Sequence, residues 1–428
     1  MEEIEERLVR VHLLIEAIQA NKDKMVSIAV RDTGFTHREC SLEVEVILTR
    51  LQGFAEMLPT FAGRQPICGP DQEVALILPY NGSAWLNVAI ISIYLVGNRV
   101  LVKFASRGSE IARFTESLYN PIFGDAIRFD YSRGRTFVEN AITNPRTPAI
   151  CLFGTDEYAW QYLDSIKAHQ KKFIFEGPGK DPFIVLPGAD LEAAAGELAF
   201  SKYLYAGQTC TAPERVYLHD SIHDDFLELF VEYSRAVKLG DPADPATEMG
   251  PVASPRAIEA IKAQLEEAVA MGARIVLGGK IEGNLVYPTV VVGARQDMLG
   301  MQNEIFGPVV FVSGFSTEKE ALQLARDNRY GLRAAVYGGE EEAMRLGVEL
   351  LGEPYCHRVT EMTFGHFGTV SVNQPRSESW VGAFVYKPVG GYGYSGWIWE
   401  TVEGEFILKQ GPKLLSLETS REITGFHP

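Results

Sequence analysis

The sequence GQTCTAPERV, residues 207–216, places one thiol at a corner between a helix and a strand. A helical pattern over residues 198–205 stops at Ala206-Gly207, and an apolar strand pattern follows over 215–218. A ligand can reach a cysteine at such a corner, and nearby backbone N–H groups can stabilise a thiolate or an oxyanion. The alternative is a core cysteine, because free cysteine is among the most buried residue types. Cys210 is therefore a candidate nucleophile.

Short apolar runs alternate with helical patterns along most of the chain. Turn residues bound each run, which predicts buried strands. These strands are residues 74–78, 100–104, 126–129, 149–153 and 173–176, and then 183–186, 215–218, 273–277, 309–314, 334–337 and 370–372. Intervening helices imply right-handed crossovers, so the predicted fold class is α/β with a parallel, doubly wound sheet. Residues 1–60 are predicted to be helical and 59–71 to be a loop or linker.

Several polar or small residues lie at the carboxyl ends of the predicted strands, where ligands bind in doubly wound sheets. They are Asn81, Lys103, Gly154 and Glu176. Glu176 follows three apolar residues, so partial desolvation should raise its pKa towards the range that suits a general base. A salt bridge between Glu176 and Lys180, or a solvated strand end, is the alternative.

Composition and charge exclude several classes of protein. A chain of 428 residues is too long for one ordinary core, so two or three domains are expected. The formal net charge of −16 argues against nucleic-acid binding, which requires a basic face. The five cysteines are scattered without zinc-ligand spacing, which predicts no metal site and free thiols in a reducing compartment. We find no signal-peptide pattern and no apolar stretch long enough to cross a bilayer, so we expect a cytoplasmic protein.

Two further motifs accompany the cysteine corner. FIFEGPGKDPFIV spans residues 173–185 and NEIFGPVV spans 303–310. Glu176 and Cys210 lie 34 residues apart. In this order and spacing, the three motifs resemble the aldehyde dehydrogenase superfamily from about residue 73 to 417. The resemblance implies a nicotinamide cofactor-binding domain over 1–177, with a helical part at 1–60, and a catalytic domain over 178–396. It also implies a return to the cofactor domain over 397–428, where an apolar strand at 414–417 serves oligomerisation.

The resemblance implies a role for each catalytic candidate. Cys210 is the nucleophile that adds to the aldehyde, and Glu176 is the base that activates water. Asn81 directs its side-chain amide at the forming oxyanion, beside the backbone N–H of Cys210. A turn asparagine with local backbone bonds is the alternative for Asn81, since Asn-Gly is a common turn pair. Family members that transfer the acyl group to coenzyme A often lack this glutamate, so Glu176 favours hydrolysis.

The cofactor residues also come from the resemblance. Lys103 holds the adenosine ribose and Glu304 the nicotinamide ribose, while Phe306 packs near the nicotinamide. Gly154 and Thr155 lie near the phosphates, although Asp156 places an acid where the family has none.

Ser106 and Arg107 bear on the choice of cofactor. Ser106 stands where many NAD-dependent members have a glutamate, and Arg107 follows it. A serine and an arginine accept a 2′-phosphate that a carboxylate would repel, which predicts NADP, with NAD possible. A solvated surface role for Arg107 is the alternative.

Two groups of residues depart from the family pattern. Aromatic residues near the implied substrate tunnel favour an apolar or aromatic aldehyde, with ordinary core packing as the alternative. They are Trp85, Trp380, Phe384, Tyr386, Trp397 and Trp399. The segment 354–366 has no family counterpart and is interpreted as a surface insertion. It carries Cys356, His357, Arg358 and His366.

The predicted function is oxidation of an aldehyde to the carboxylic acid with NAD(P), through a cysteine thiohemiacetal and a thioester. One alternative is an NADPH-dependent reductase that converts an acyl thioester to the aldehyde. The other is a binding protein on this scaffold that lacks catalysis. An unpaired strand edge at 414–417 predicts a homodimer or homotetramer.

Overall fold

The computed structural model describes residues 4–61, 63–82, 87–352, 355–356, 363–376 and 388–422. Two large sheets form within these residues. The first has seven strands in the spatial order Glu405–Lys409, Gly396–Val402, Lys172–Glu176, Ala149–Phe153, Val74–Leu78, Val100–Phe104 and Ile127–Phe129. The last five are mutually parallel, and the two C-terminal strands join them antiparallel. The prediction of an α/β fold with a doubly wound sheet is confirmed.

The second sheet also has seven strands. Their order is Thr369–Val372, Arg333–Tyr337, Asp181–Val185, Pro213–His219, Val309–Phe315, Thr289–Val292 and Arg274–Leu277. All neighbours are parallel except the last pair. Four two-stranded ribbons complete the β structure: Arg64–Pro66 with Ser420–Glu422, Ile281–Glu282 with Leu285–Val286, Tyr330–Gly331 with Tyr392–Gly393, and Tyr355–Cys356 with Thr363–Phe364.

Helices cover both sheets. The α-helices of the described residues are Ile4–Ala20, Lys22–Thr33, His37–Gly53, Leu58–Phe61, Asn87–Leu95, Ser109–Phe123, Gly134–Thr143, Asp156–Trp160, Leu163–Ala168, Leu191–Tyr203, His223–Ala236, Pro255–Ala270, Leu299–Gln302, Glu318–Arg326, Glu340–Leu351 and Leu415–Glu418. Short 3₁₀ turns occur at Phe54–Met57, Tyr80–Gly82, Ser106–Gly108, Gly124–Ala126 and Leu204–Gly207.

Alternate residues of the first sheet enter two different cores, as the two-residue period of a strand requires. Val74, Leu76 and Leu78 pack with the N-terminal helices, whereas Ala75 and Ile77 face the opposite core. Every side chain of Val74–Leu78 is buried, which is why the run reads as continuously apolar.

Two sequence predictions near the chain ends are wrong. Residues 414–417 form no strand, because Leu415–Glu418 is a helical turn whose N–H groups at Leu417 and Glu418 both donate to the Leu414 carbonyl. Leu415 is buried there, and the turn contacts the helix Asn87–Leu95. A run of four apolar residues is too short to distinguish the two-residue period of a strand from the 3.6-residue period of a helix. The C-terminal strand is Ser420–Glu422, and its partner Arg64–Pro66 lies in the segment that was predicted to be a loop.

The strand Gly396–Val402 offers a direct test of the packing. Trp397 is 1% exposed, and its ring centroid lies 4.3 Å from that of Phe175 on the neighbouring strand. Replacing Trp397 with alanine should lower the free energy of unfolding by about 3–5 kcal/mol, because the large cavity refills only in part. Urea unfolding followed by circular dichroism measures this loss. The matched control is Val402→Ala on the same strand, where the side chain is 41% exposed and the change should stay within about 0.5 kcal/mol.

Candidate active site

The order of the first sheet creates a crevice between Val74–Leu78 and Ala149–Phe153, where chain connections leave in opposite directions. A cavity of about 670 Å³ opens at the carboxyl ends of these strands. Its walls bring together seven of the ten predicted site residues, Asn81, Gly154, Thr155, Glu176, Cys210, Glu304 and Phe306. The other three, Lys103, Ser106 and Arg107, flank Ala105, which also lines the cavity. The volume falls within the roughly 300–1,000 Å³ of ligand pockets.

Cys210 and Glu176 meet in this cavity although they belong to different sheets. The Cys210 thiol donates a hydrogen bond to Glu176 Oε1, with 3.2 Å between sulfur and oxygen. Glu176 is the last residue of its strand and is partly exposed, as is Cys210. A thiol and a carboxylate at this distance can exchange a proton, either directly or through one water molecule.

The turn before Cys210 is tightly wound. The preceding helix ends at Tyr203, two residues earlier than predicted, and a 3₁₀ turn covers Leu204–Gly207. Tyr205 and Ala206 have φ angles of 54° and 53°, a left-handed conformation that costs a residue with a Cβ about 1–2 kcal/mol. The helical pattern of residues 198–205 could not show this reversal, because it follows the polarity of side chains and not the backbone angle.

Two glycines allow the three sequence motifs to approach one another. A Cβ on Gly179 would lie 1.9 Å from the carbonyl oxygen of Cys210, so only glycine fits there. A Cβ on Gly207 would lie 2.2 Å from the carbonyl oxygen of Gly307, and Gly207 also has a φ of 72°. The loops that carry Glu176, Cys210 and Glu304 are therefore in main-chain contact.

Gln208 holds the cysteine loop to the rest of the cavity. Its amide nitrogen donates to the Tyr205 carbonyl, and its amide oxygen accepts from Tyr80 Oη at 3.0 Å and from Ala253 N at 2.7 Å. Tyr80 precedes Asn81, so this hydrogen bond ties the candidate oxyanion residue to the loop of the nucleophile. Sequence reasoning missed Gln208, although it lies inside the cysteine motif.

An N-terminal helix also supports the turn. Glu39 and Thr36 form a capping box at the start of the helix His37–Gly53, and Glu39 Oε1 accepts a hydrogen bond from Tyr205 N. Burial raises the pKa of Glu39 to about 7. Burial, together with the charge of Glu39, raises the pKa of the neighbouring Glu43 to about 8. The helical segment thus has a role at the site that its amphipathic pattern does not reveal.

Glu304 lies beside the thiol–carboxylate pair. Its Oε1 accepts a hydrogen bond from Gly179 N at 3.2 Å. Burial and the negative charge of Glu214 raise the pKa of Glu304 well above its usual range. Phe306 has a φ of 54° and follows directly in the same turn. The turn therefore projects a carboxyl group and an aromatic ring into one cavity.

A buried ion cluster that sequence reasoning missed holds this turn in place. Glu214 Oε2 accepts from Lys180 Nζ at 2.8 Å, and its Oε1 lies 3.7 Å from Lys202 Nζ. The same carboxylate accepts from Ile305 N at 2.8 Å and from Phe306 N at 3.0 Å. Lys180 thus pairs with Glu214, whereas the alternative weighed from sequence paired it with Glu176. The sequence did offer a signal for this pair, since Lys180 and Glu214 both lie inside the quoted motifs.

The residues predicted to hold the adenosine end occupy the turn after Val100–Phe104. Lys103 is buried, and its Nζ donates to the Phe104 carbonyl at 2.6 Å. Burial lowers its pKa. Ser106 is exposed, and Arg107 donates to the carbonyls of Ala253 at 2.7 Å and Thr33 at 3.4 Å. Arg107 is exposed, as the surface alternative expects, and through these two carbonyls it also joins three segments of chain.

The turn after Ala149–Phe153 contains the acid that departs from the family pattern. Thr155 caps the helix Asp156–Trp160 by accepting from Tyr158 N. Asp156 is 6% exposed and accepts a hydrogen bond from Tyr330 Oη at 3.4 Å. Burial raises the pKa of Asp156, against the opposing effect of Arg329. These neighbours reduce the repulsion that the carboxyl would exert on a phosphate group.

Two of the aromatic residues assigned to a substrate tunnel are core residues. Trp397 and Trp399 are 1% and 9% exposed and pack around Trp160. The core-packing alternative is therefore confirmed for this pair, because their strand lies inside the first sheet. Trp85, Trp380, Phe384 and Tyr386 lie outside the described residues.

The segment 354–366 is described in part. The short ribbon of Tyr355–Cys356 with Thr363–Phe364 lies within it, and His366 is 4% exposed. The interpretation as a surface insertion is wrong for His366, because the Gly331 backbone packs against its carbonyl oxygen. His357 and Arg358 lie outside the described residues, as does the side chain of Cys356.

Among the residues that the structure describes, no group of three or more histidine, cysteine, aspartate or glutamate residues could hold a metal ion. No helix in the described part of the chain has the length and hydropathy to cross a membrane.

These features define an α/β protein with two doubly covered sheets and a cavity that joins a thiol to a carboxylate. The chain belongs to the aldehyde dehydrogenase family, since the model of that family matches residues 2–405.

Several characterised relatives share much of the sequence. The chain is 27% identical to a D-glyceraldehyde dehydrogenase (NADP(+)) from Picrophilus torridus, over 87% of this chain and 77% of that protein. It is 29% identical to a succinate-semialdehyde dehydrogenase [NADP(+)] from Deinococcus radiodurans, over 81% and 76%. It is 30% identical to a salicylaldehyde dehydrogenase from Pseudomonas putida, over 72% and 66%.

Solved structures agree with the fold. The crystal structure of a succinic semialdehyde dehydrogenase from Streptococcus pyogenes with NADP+ superposes with a TM-score of 0.84 and 25% identity, covering 99% of this chain and 90% of that one. A betaine aldehyde dehydrogenase from Staphylococcus aureus with NAD+ gives 0.81 and 26%, covering 100% and 84%.

The buried carboxyl of Glu43 makes stability depend on pH. Its pKa is about 8 in the folded state against 4.5 for an ordinary glutamate, so the folded state binds the proton more tightly. The contribution of Glu43 to the free energy of unfolding should therefore be fully present below pH 4.5. It should decrease as pH rises above 4.5 and be lost as pH passes through 8. Glu43→Gln should reduce the loss of unfolding free energy between about pH 5 and pH 8 by roughly 3–4 kcal/mol, since each pH unit between the two pKa values contributes about 1.4 kcal/mol. Urea titrations across this range measure it.

Glu45→Gln on the same helix is the matched control, since Glu45 is exposed and pairs with Lys22 at the surface. It should leave the pH dependence unchanged. Equal pH dependence in wild type and Glu43→Gln would contradict the assignment of the proton to this buried pair.

Proposed function

We propose that the chain oxidises an aldehyde to the carboxylic acid, with NADP as the favoured cofactor and NAD as a possible one. The hydrogen bond of 3.2 Å between Cys210 Sγ and Glu176 Oε1 carries the proposal. It joins a nucleophile to a base in a cavity that Asn81, Glu304 and Phe306 also line. Dehydrogenases of aldehydes among the relatives, some of them named for NADP, support the same activity.

The first step is addition of the Cys210 thiolate to the aldehyde carbon. Glu176 can receive the thiol proton, because it already accepts the hydrogen bond from this thiol. The carbonyl oxygen becomes an alkoxide, which the side-chain amide of Asn81 and the backbone N–H of Cys210 stabilise. The tetrahedral thiohemiacetal is then the species that loses a hydride.

The residues around the cavity fit a nicotinamide dinucleotide. Lys103, Ser106 and Arg107 would hold the adenosine end, and Gly154 and Thr155 would lie by the phosphates. Glu304 and Phe306 would hold the nicotinamide ribose and ring. When bound, the cofactor supplies a hydride acceptor. The raised pKa of Asp156 and the absence of a carboxylate at Ser106 both suit a group that carries extra phosphate charge.

The final step is hydrolysis of the thioester on Cys210. Glu176 first releases the thiol proton to solvent and then takes a proton from water; the hydroxyl adds to the acyl carbon, and the carboxylic acid leaves as the Cys210 thiolate is released. This role for Glu176 separates the proposal from its nearest alternative, a reductase that converts acyl thioesters to aldehydes. A reductase has little use for a base within 3.2 Å of its thiol. A scaffold without catalysis has no use for either group.

The substrate is proposed to be an aromatic or apolar aldehyde. Relatives named for vanillin and for salicylaldehyde support an aromatic one. Other relatives are named for D-glyceraldehyde and succinate semialdehyde, so these two polar aldehydes are the substrates to compare with the aromatic ones. A homodimer or homotetramer stays a prediction, although the strand edge at residues 414–417 on which it was based is absent.

Formation of NADPH from aldehyde and NADP tests the activity. The absorbance of NADPH at constant enzyme concentration should show steady turnover with one or more members of an aldehyde panel. The rate with Cys210→Ala should be at least about 10⁴-fold lower, because the covalent route is gone. Glu176→Gln should form the first NADPH per active site more slowly than wild type, because the thiol has lost its proton acceptor. It should then turn over at least about 10²-fold more slowly, because water has lost its base.

Two outcomes would contradict this assignment. Glu176→Gln with an unchanged steady rate would remove the base from hydrolysis. Wild-type enzyme that reduces acyl-coenzyme A with NADPH but forms no NADPH from any aldehyde would establish the reductase instead.

The cofactor choice is tested at Ser106. Ser106→Glu places a carboxylate where the 2′-phosphate is proposed to bind and should raise KM for NADP at least about tenfold, since like charges repel at short range. The KM for NAD should fall or stay constant. The matched control is Ser109→Glu, one helical turn further along and partly buried. If Ser106→Glu leaves the ratio of the two KM values unaltered, Ser106 does not face the 2′ position.

A further inference from the structure

Arg376 lies beside the candidate nucleophile and plays no part in the mechanism above. It follows the strand Thr369–Val372 of the second sheet and is 3% exposed. One terminal nitrogen donates to the Thr211 carbonyl at 2.9 Å, and the other donates to Thr211 Oγ1 at 2.7 Å and lies 3.5 Å from Thr209 Oγ1. Both threonines are direct chain neighbours of Cys210. The guanidinium therefore contacts the chain on each side of the cysteine.

Arg376 keeps its charge although it is buried. Burial lowers its pKa only to about 10, so it remains protonated at neutral pH. Its charge interacts with that of the partly buried Arg333, with the Cys210 sulfur, and with Glu197 and Asp181. Glu197 also accepts a hydrogen bond from Arg376 N at 2.9 Å, which fixes the arginine backbone.

The other charged groups around the thiol are mostly acidic. Glu176 faces it directly, and Glu304 lies in the same cavity. Burial raises the pKa of Asp181 to about 8, so this carboxyl contributes less negative charge than an exposed one. Burial likewise raises the pKa of Glu304. A thiolate at Cys210 would be repelled by the carboxylate of Glu176 unless a cation lay nearby. Arg376 is a cation that contacts both neighbours of Cys210.

We propose that Arg376 is a positioning residue that fixes the main chain around Cys210 and stabilises the thiolate by its charge. The inference rests on the proposed role of Cys210 as nucleophile. A rigid clamp on Thr211 keeps the thiol directed at the cavity, and a positive charge beside a thiol favours its ionised form. Without it, the negative charge of Glu176 would raise the pH at which Cys210 becomes reactive.

The test is the pH dependence of Cys210 alkylation by iodoacetamide, measured on the full chain without aldehyde or cofactor. The midpoint of the rate profile reports the thiol pKa. Arg376→Met should move it to higher pH by about one unit, since one unit is the usual effect of a nearby charge. Arg376→Lys should restore part of the shift. Cys40, Cys68 and Cys151 are buried with raised pKa values, and subtraction of Cys210→Ala removes the remaining background.

Arg333→Met is the matched control. Arg333 is a partly buried arginine that also faces Asp181 and Glu197, but its guanidinium donates to Ser371 and not to the neighbours of Cys210. Its midpoint should equal that of wild type. Superimposable profiles for wild type and Arg376→Met would overturn the proposal, as would an equal shift in Arg333→Met. If Arg376→Met does not fold, Arg376→Gln keeps donors for Thr211 without the charge, and a wild-type midpoint there would overturn it equally.

The alkylation experiment separates this proposal from the proposed function. A protein that forms no NADPH with any aldehyde can still show the midpoint shift, which supports Arg376 and counts against the dehydrogenase reaction. An active dehydrogenase whose alkylation midpoint stays the same in Arg376→Met would support the dehydrogenase reaction and overturn the role of Arg376.

Discussion

The buried carboxylate of Glu214 is the group on which the three loops of the cavity depend. It belongs to the cysteine motif, pairs with Lys180 of the glutamate motif, and accepts two main-chain hydrogen bonds from the turn that carries Glu304 and Phe306. Burial opposes its ionisation, but the adjacent ammonium groups of Lys180 and Lys202 outweigh burial, and its pKa is lowered. A buried ion pair gives little net stability, and its removal leaves the partner charges uncompensated. Its value here is geometric, since one carboxylate fixes the relative positions of three segments distant in sequence.

Close main-chain contacts also hold the loops of the cavity together. Gly179 and Gly207 let the loops approach to a separation that any Cβ would prevent. The cysteine loop is consequently held by its backbone on one side and by the Arg376 guanidinium on the other. Catalytic groups need to be held within about half an ångström of their working geometry, and contacts to the main chain restrict motion more than contacts to long side chains.

The sequence predicted most of what the strand pattern and the motif spacing encode. Most strands of both sheets were predicted because each is a short apolar run between turns, but Thr289–Val292, Gly396–Val402 and Glu405–Lys409 were not. The places of Asn81 and Glu176 at strand ends, together with the motif resemblance, predicted that both lie near Cys210. What escaped prediction depends on tertiary partners. The pattern of residues 414–417 is too short to show a period. Nothing local to Glu39 or Arg376 shows that each contacts the cysteine loop, and nothing local to Gln208 shows that it contacts Tyr80 and Ala253. Trp397 and Trp399 were ambiguous because an apolar residue suits a tunnel as well as a core.

The strained turn before Cys210 shows why the N-terminal helices matter to the site. Two consecutive residues with side chains, Tyr205 and Ala206, hold left-handed backbone angles, and strain of about 1–3 kcal/mol at each persists only where surrounding contacts determine the conformation. The Glu39 carboxylate binds the Tyr205 N–H and the Gln208 amide binds the Tyr205 carbonyl, so both main-chain polar groups of that residue are satisfied from outside the turn. Burial raises the pKa of Glu39 to about 7, which shows that holding this carboxylate in its charged form costs free energy. A neutral oxygen could accept the same hydrogen bond without that cost. An anion nevertheless accepts a stronger hydrogen bond than a neutral oxygen does, which offsets the strain where the thiol most needs a fixed direction.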